Sequence, residues 1–121
     1  AHLIGLARGI DVLFPFYTIF PNPLRLYANT MHAPIVAEVR GRGLMIGIEF
    51  VRPGTREPDP AATLRVFDEC RRGGLLVGKG GLYNNVLRMG PPLTLTEDEA
   101  REGLRILTEA IATAGAELSV A

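Results

Sequence analysis

Apolar and polar residues alternate along the stretch from Ile35 to Val51, which is broken once by Gly-Arg-Gly at residues 41–43. After this break, apolar side chains occupy every second position: Leu44, Ile46, Ile48 and Phe50. Successive side chains of a β-strand point to opposite faces, so the pattern predicts two strands joined by a tight turn, with one face in a core. Glu49, on the other face, is expected to be solvated.

A helix is predicted after the loop RPGTREP, which covers residues 52–58. Asp59 is a good N-cap residue, and Pro60 suits the first helical position because no hydrogen-bond donor is needed there. The helix is expected to carry Leu64 and Phe67 on its apolar face. It should run to about residue 72 and stop at Gly73-Gly74.

A second helix is predicted to begin at the capping-box sequence Thr96-Glu97-Asp98-Glu99. Small and large apolar residues then recur at helical spacing, namely Ala100, Leu104, Leu107, Ile111 and Ala114. Gly115 is expected to end this helix.

Between the two helices, the pattern predicts a short buried strand at residues 75–77, a loop at residues 78–85 and another strand at residues 86–89. The complete order is therefore β-β-α-β-β-α. This order predicts an α+β fold, in which two helices cover one face of a small, largely antiparallel sheet.

Residues 1–34 differ from the rest of the chain. They are rich in aromatic residues and contain four of the nine prolines, with no helical period and only broken alternation. We therefore divide the chain into an unmatched segment, residues 1–34, and a folded domain, residues 35–121. Two interpretations of the first segment stay open: an extended tail that needs a partner surface, or sequence that does not belong to the fold.

The composition excludes several classes of function. The chain has 121 residues, 47% of them hydrophobic, and a net charge of zero, which argues against disorder and against a polyanion-binding surface. We therefore expect no nucleic-acid partner. The longest apolar run, residues 12–20, is too short to cross a bilayer, so no membrane span is expected. The single cysteine, Cys70, suits an intracellular protein and is interpreted as a small core residue.

Several candidate motifs carry little signal. The sequence GKGG at residues 78–81 lacks the spacing of a phosphate-binding loop, so Lys79 is interpreted as part of a flexible connector. The sequence VRGRG is interpreted as a tight turn rather than an RNA-binding segment. His2 and His32 have no neighbours at metal-ligand spacing, and no metal site is predicted.

Arg88 is the residue that the pattern does not explain, because it stands inside a predicted apolar strand between Leu87 and Met89. A guanidinium in this setting must reach water or find an anion. Two interpretations stay open from the pattern alone. The arginine either extends outward or pairs with an acid of the domain, or it binds a carboxylate through two parallel hydrogen bonds.

The order of these motifs resembles a known family. The sequence EVRGRGLMIGIEFV, an acid-capped helix and the sequence GLLVGKGGLYNNVLRMGPPLTLTEDE together resemble the C-terminal small domain of class III aminotransferases. These are fold type I enzymes that use pyridoxal 5'-phosphate. The resemblance covers about residues 35–114. It is strongest to the branch that contains alanine–glyoxylate aminotransferase 2, and looser to the 4-aminobutyrate and ornithine enzymes.

The resemblance implies roles for three residues. In the family, the arginine of this strand binds the substrate carboxylate, and by motif this is Arg88. Gly80 and Gly81 match a loop that approaches the site. The Schiff-base lysine and the aspartate that pairs with the pyridine nitrogen belong to an upstream large domain, and Lys79 does not match the lysine's motif. Pyridoxal 5'-phosphate is therefore expected to be bound mainly outside this chain, which supplies no catalytic residue.

We therefore expect the small domain of an aminotransferase that moves an amino group between an amino acid and a 2-oxo acid, as a homodimer, in the mitochondrial matrix or the cytoplasm. Because the chain begins with Ala1 and lacks the lysine, we expect it to be part of a longer protein and inactive alone. The alternative is a non-catalytic fragment or interaction module that keeps the fold. The upstream reading frame distinguishes the two.

Overall fold

The structure is a computed structural model that describes residues 34–120, with side chains described as far as residue 117. It contains four strands and two helices in the predicted order: β1 (Val36–Arg42), β2 (Met45–Phe50), α1 (Pro60–Arg72), β3 (Gly78–Gly80), β4 (Val86–Met89) and α2 (Glu97–Val120). The strands form one sheet in the order β1-β2-β4-β3, and every pairing is antiparallel. The predicted α+β fold is confirmed.

The hairpin of β1 and β2 depends on a close approach of two backbones at Gly41. This residue has a φ of +155°, and a Cβ placed on it would lie 2.1 Å from the carbonyl oxygen of Met45. Only a residue without a side chain fits there. The predicted tight turn is present but lies at residues 43–44, because Gly41 and Arg42 still pair with β2 as the end of β1. Gly41 is required by packing within the hairpin.

The core lies between one face of the sheet and the two helices. The sheet contributes Ile46, Ile48 and Phe50 from β2 and Leu87 from β4, each at most 3% exposed. All belong to one cluster with buried residues of both helices. The alternation predicted for β2 is confirmed, and the side chains that face the helices anchor both central strands by burial of apolar surface.

Helix α1 begins and ends as predicted. The Asp59 carboxylate accepts a hydrogen bond from the Ala62 amide at 2.9 Å, and the Thr63 hydroxyl donates to the Asp59 carbonyl at 2.8 Å. At the other end, the Gly73 amide donates to the Glu69 carbonyl, and Gly74 has a φ of +96°. The Asp59 side chain thus satisfies a backbone amide of the first helical turn that has no partner within the helix.

The apolar face predicted for α1 was wrong in part. Leu64 is 47% exposed and Phe67 is half-buried, whereas the buried positions are Ala62, Thr63, Val66 and Cys70. The helix turns its smaller residues inward. Small side chains let the helix axis approach its neighbours closely, so size alone was a misleading guide to the buried face.

The predicted strand at residues 75–77 was also wrong, and the predicted loop at residues 78–85 was wrong in part, because only residues 81–85 lie outside the strands. Leu76 is 84% exposed, and the third strand instead consists of Gly78–Gly80. This strand forms because its backbone pairs with β4, with Lys79 opposite Leu87. The pairing satisfies backbone donors and acceptors without any apolar side chain, and a hydrophobic pattern cannot reveal it.

Helix α2 has the predicted capping box. The Thr96 amide donates to the Glu99 carboxylate at 2.9 Å, and the Glu99 amide donates to the Thr96 hydroxyl at 3.2 Å. All five predicted apolar positions of this helix are buried. Gly115 does not end the helix, which continues to Val120. A glycine inside a helix costs only about 1 kcal/mol, an amount that packing elsewhere along the helix can offset.

Cys70 is fully buried on α1, as predicted for a core residue. Burial raises the pKa of its thiol to about 11, and the nearby Glu69 carboxylate raises it further in the same direction. The thiol is therefore protonated at neutral pH and behaves as a small apolar group.

Within residues 34–120, no helix is long and apolar enough to cross a membrane.

The buried thiol predicts how stability depends on alkaline pH. Cysteine ionises near pH 9.0 when unperturbed, and near pH 11 in the fold. Stability due to the protonated thiol is therefore complete below pH 9 and is lost as the pH rises toward 11. We expect the free energy of unfolding of the unsubstituted chain, relative to Cys70→Ala, to fall across this window in urea titrations. A difference that stays constant with pH would contradict the assignment.

The Asp59 cap predicts a second effect on stability. Replacing Asp59 by alanine should lower the free energy of unfolding by about 0.5–2 kcal/mol, because the Ala62 amide loses its partner. Asp59→Asn is the matched control, since its side-chain oxygen can accept the same hydrogen bond. Equal losses in both variants would mean that charge, rather than capping, explains the effect.

Candidate functional site

Arg88 lies on the face of the sheet that points away from the helices. On β4, Leu87 is fully buried and Met89 packs against the core, whereas Val86 and Arg88 alternate with them and face the opposite side. Arg88 is exposed, and its side chain forms no ion pair or hydrogen bond with any residue in the described part of the chain. A cation that no described residue pairs with is thus exposed on this face.

The neighbours of Arg88 in the sheet are glycines. The register places Gly47 of β2 opposite it on one side and Gly78 of β3 on the other. A Cβ placed on Gly80 would lie 3.3 Å from the Arg88 Cδ and 3.7 Å from its Nη1. We call Gly47, Gly78 and Gly80 the glycine furrow. Because neither neighbouring strand places a side chain opposite it, the arginine lies along β3 past Gly80 and its guanidinium stays exposed.

Gly81 holds the turn that leads into β4. It has a φ of +90°, and a Cβ placed on it would lie 2.7 Å from the Val86 Cγ2. The Asn84 amide donates to the Gly81 carbonyl at 3.1 Å. Of the two glycines singled out from the sequence, Gly80 lies beside the Arg88 side chain, whereas Gly81 lies in the turn before β4 and contacts Val86.

Asn85 fixes the start of β4, and sequence reasoning missed it. Its side-chain amide donates to the Phe50 carbonyl at 2.9 Å, and the Phe50 amide donates to the Asn85 carbonyl at 2.8 Å. The residue is 2% exposed. A single asparagine in a turn-rich stretch gave no sign of this contact, because the partner lies 35 positions earlier in the sequence.

A groove of about 440 Å³ opens next to this strand. It is lined by residues 75–78, by residues 88–92 and by residues around the beginning of α2. The lining is mostly apolar and includes two charged residues of opposite sign, Arg88 and Glu99. A mostly apolar groove with a few polar groups suits a small molecule.

Elsewhere on the face that points away from the helices, one arginine pairs with two glutamates. One nitrogen of Arg40, Nη1, donates to Glu38 and to Glu49, each at 2.7 Å. The hydrogen bond to Glu49 is the largest of the contacts that raise the pKa of Arg40. Glu49 was expected to be solvated, but it is half-buried and ion-paired.

Lys79 does not share the face of Arg88. It stands between Gly78 and Gly80 on β3 and pairs with Leu87, so its side chain leaves the sheet on the opposite side. It is exposed. Across the described residues, no group of His, Cys, Asp or Glu side chains could hold a metal ion. His2 and His32 lie outside these residues.

The fold and the arrangement around Arg88 can be compared with known proteins. The sequence profile described as aminotransferase class-III matches residues 23–111. The chain belongs to the class III aminotransferase family. The predicted family is thereby confirmed, although the chain covers only part of its members.

Two relatives show how the similarity is distributed. The 4-aminobutyrate aminotransferase of Mycobacterium leprae is 41% identical over 73 residues, which cover 60% of this chain and 16% of that protein. The mitochondrial alanine–glyoxylate aminotransferase 2 homolog 2 of Arabidopsis thaliana is 46% identical over 67 residues, which cover 54% of this chain and 14% of that protein. The chain spans less than a fifth of either relative.

A solved structure supports the same relationship. An amine transaminase from an uncultivated Pseudomonas species, in a PLP-bound form, superimposes with a TM-score of 0.59 at 35% identity. The match covers 89% of this class III chain and 22% of the transaminase. The described residues of our chain do not by themselves fit this cofactor, because Lys79, its only lysine, faces away from Arg88.

The turn before β4 predicts a steric effect at Gly81. Gly81→Ala forces a side chain into a left-handed backbone and against Val86, so we expect a loss of about 2–4 kcal/mol in the free energy of unfolding. Gly54→Ala is the matched control, because Gly54 has a φ of +78° but nothing within 4 Å of its Cβ position. The control should lose only about 1–2 kcal/mol of the free energy of unfolding, which is the cost of backbone strain alone. Thermal unfolding of the two variants measures the difference. Equal losses of stability would mean that the contact with Val86 does not contribute.

Proposed function

We propose that this chain is the C-terminal small domain of a PLP-dependent class III aminotransferase and that it supplies the carboxylate-binding side of the substrate site. Arg88 is the residue assigned to this role. The observation that carries the proposal is a guanidinium that has no hydrogen-bond or ion-pair partner within residues 34–120 and lies on a central strand between glycines. Gly80, beside the Arg88 side chain, and Gly81, which contacts Val86 before it, are proposed to complete the part of the site that this chain contributes.

The mounting of Arg88 suits a binding residue. Its strand pairs on both sides, and the preceding Leu87 is fully buried, so the backbone position is fixed. Gly90-Pro91-Pro92 follows at once and stiffens the exit from the strand. By contrast, Arg52 and Arg56 belong to an exposed loop. Because the backbone at Arg88 is already fixed, less conformational entropy is lost when the side chain binds a ligand.

The chemistry of the guanidinium indicates the class of substrate. Its planar fork can bind both oxygens of a carboxylate through parallel hydrogen bonds, a geometry that lysine cannot copy. Amino acids and 2-oxo acids both carry a carboxylate beside the reacting carbon. One arginine can therefore orient the amino donor in the first half-reaction and the 2-oxo acid in the second.

The remaining parts of the site belong to the rest of the protein. When bound, pyridoxal 5'-phosphate supplies an electron sink for the amino-group transfer. This chain's residues bind and orient the substrate carboxylate. Four exposed apolar side chains surround the groove and the turn before β4: Leu76, Leu82, Tyr83 and Leu93. We propose that the large domain, and a second subunit in a homodimer, cover them.

The proposed donor and acceptor are of the alanine–glyoxylate type. The Arabidopsis relative named for these substrates supports this choice, and its name also places it in mitochondria. The 4-aminobutyrate relative supports a longer donor instead. Rates with alanine and with 4-aminobutyrate, each with glyoxylate as acceptor, discriminate the two. We propose an intracellular enzyme of the mitochondrial matrix or the cytoplasm.

A second candidate function is a non-catalytic fragment or interaction module. The exposed apolar side chains favour it as well, because they could contact another protein. The upstream reading frame decides between the two. A large domain with a lysine at a strand end supports the enzyme, whereas a start codon next to Ala1 supports the module.

The proposal predicts a selective loss of activity in the full-length enzyme. A hydrogen bond to a charged group contributes about 1.5–3 kcal/mol, so Arg88→Ala should reduce kcat/KM by roughly 10- to 200-fold for amino acids. Donor amines without a carboxylate, such as 1-phenylethylamine, should change by less than about threefold, because they do not use the arginine. Steady-state kinetics with both donor types measure the effect.

Two controls accompany this measurement. Arg42→Ala removes an exposed arginine at the end of β1 and should leave both rates unchanged. Arg88→Lys keeps the charge but loses the fork, so it should recover only part of the activity. If Arg88→Ala unfolds the domain and spares carboxylate selectivity, Arg88 is structural and the proposal is wrong.

A further inference from the structure

Glu49 occupies a position from which it could reach either of two arginines. The register aligns Gly47 with Arg40 on β1 and with Arg88 on β4. Glu49 lies two residues after Gly47 on β2. It is therefore one diagonal position away from Arg40 on β1 and one diagonal position away from Arg88 on β4. Diagonal positions of neighbouring strands are about 7–8 Å apart, which long side chains can span.

The structure shows Glu49 on one of these partners only. Its Oε2 accepts from the Arg40 Nη1 at 2.7 Å, and the Arg88 side chain extends the other way, along β3 past Gly80. Gly47 stands between the two arginines and has no side chain to separate them. The ion pair with Arg40 holds Glu49 on the β1 side. The Val86 side chain leans over Gly47, since its Cγ1 would lie 3.4 Å from a Cβ placed there, so a released Glu49 would have to pass over Val86 to reach Arg88.

An acid of the same sheet would compete with a substrate for Arg88. An exposed ion pair is worth about 0.2–1 kcal/mol, enough to weaken substrate binding by up to about fivefold. If Glu49 were released from Arg40, it could occupy the guanidinium that the substrate needs. Glu38, which Arg40 also binds, lies on β1 and is not adjacent to β4. Only one of the two acids can therefore compete.

We propose that Arg40 is a positioning residue, which holds the Glu49 carboxylate on the β1 side of the sheet and so keeps Arg88 free for the carboxylate of the substrate. The inference rests on the proposed function of Arg88. It adds a residue that does not contact the substrate and that acts through Glu49. The Arg40 ion pairs are partly exposed and contribute little to stability, so their removal should leave the fold intact.

The first test uses kinetics of the full-length enzyme. Arg40→Gln should raise KM for carboxylate-bearing donors about two- to fivefold with little change in kcat, because the competing pair is of the exposed type. Amines without a carboxylate should keep their KM. The double variant Arg40→Gln/Glu49→Gln should return to the KM of Glu49→Gln alone.

Two matched variants make this test specific. Arg40→Gln/Glu38→Gln should not restore KM, because Glu38 cannot reach β4. Arg40→Lys should stay close to the unsubstituted enzyme, because an ammonium can still hold the acid. An unchanged KM in Arg40→Gln, or a failure of Glu49→Gln to restore it, would overturn the inference.

The second test does not depend on activity. In the 121-residue chain, the NMR signal of the Arg88 Nε–H should shift in Arg40→Gln, as the guanidinium acquires a carboxylate partner, and return in the double variant with Glu49→Gln. No shift in Arg40→Gln would overturn the inference. If Arg88→Ala spares carboxylate donors while the NMR shift is observed, the proposed function fails and the link between Arg40 and Glu49 stands.

Discussion

The backbone hydrogen bonds that join β4 to β2 on one side and to β3 on the other hold the centre of this domain together. They place Leu87 in the core and, one residue later, Arg88 on the opposite face. The contact between Asn85 and Phe50 fixes where this strand begins, so the register cannot slip by a residue. A slip would exchange the two faces and bury the arginine among the side chains that face the helices.

Local patterns in the sequence predicted the elements that local physics determines. The period of two in β2, the Asp59 cap and the capping box at Thr96 each involve residues that are neighbours in the chain, and all three are confirmed. The same reasoning failed where partners are distant. β3 has no apolar pattern because β4 supplies its hydrogen bonds, and Gly115 does not end α2.

The candidate site was predictable in the same limited way. Arg88 was noticeable because its charge conflicts with its apolar neighbours, a conflict that the sequence alone displays. The glycines beside it were not linked to it, because Gly47 lies 41 positions before Arg88 and only the register brings them together. Arg40 and Glu49 are likewise joined by strand pairing rather than by spacing. The role of each of these residues depends on pairing between strands, which no local pattern encodes.

The glycine furrow has a consequence for how such a site can be mapped. Mutational scans usually truncate side chains and record what is lost, but Gly47, Gly78 and Gly80 have nothing to truncate. Their contribution is empty space, which only an added group can reveal. The shape of the space around Arg88 can therefore drift during evolution, or be redesigned, through substitutions that enlarge these residues, while Arg88 itself stays the same.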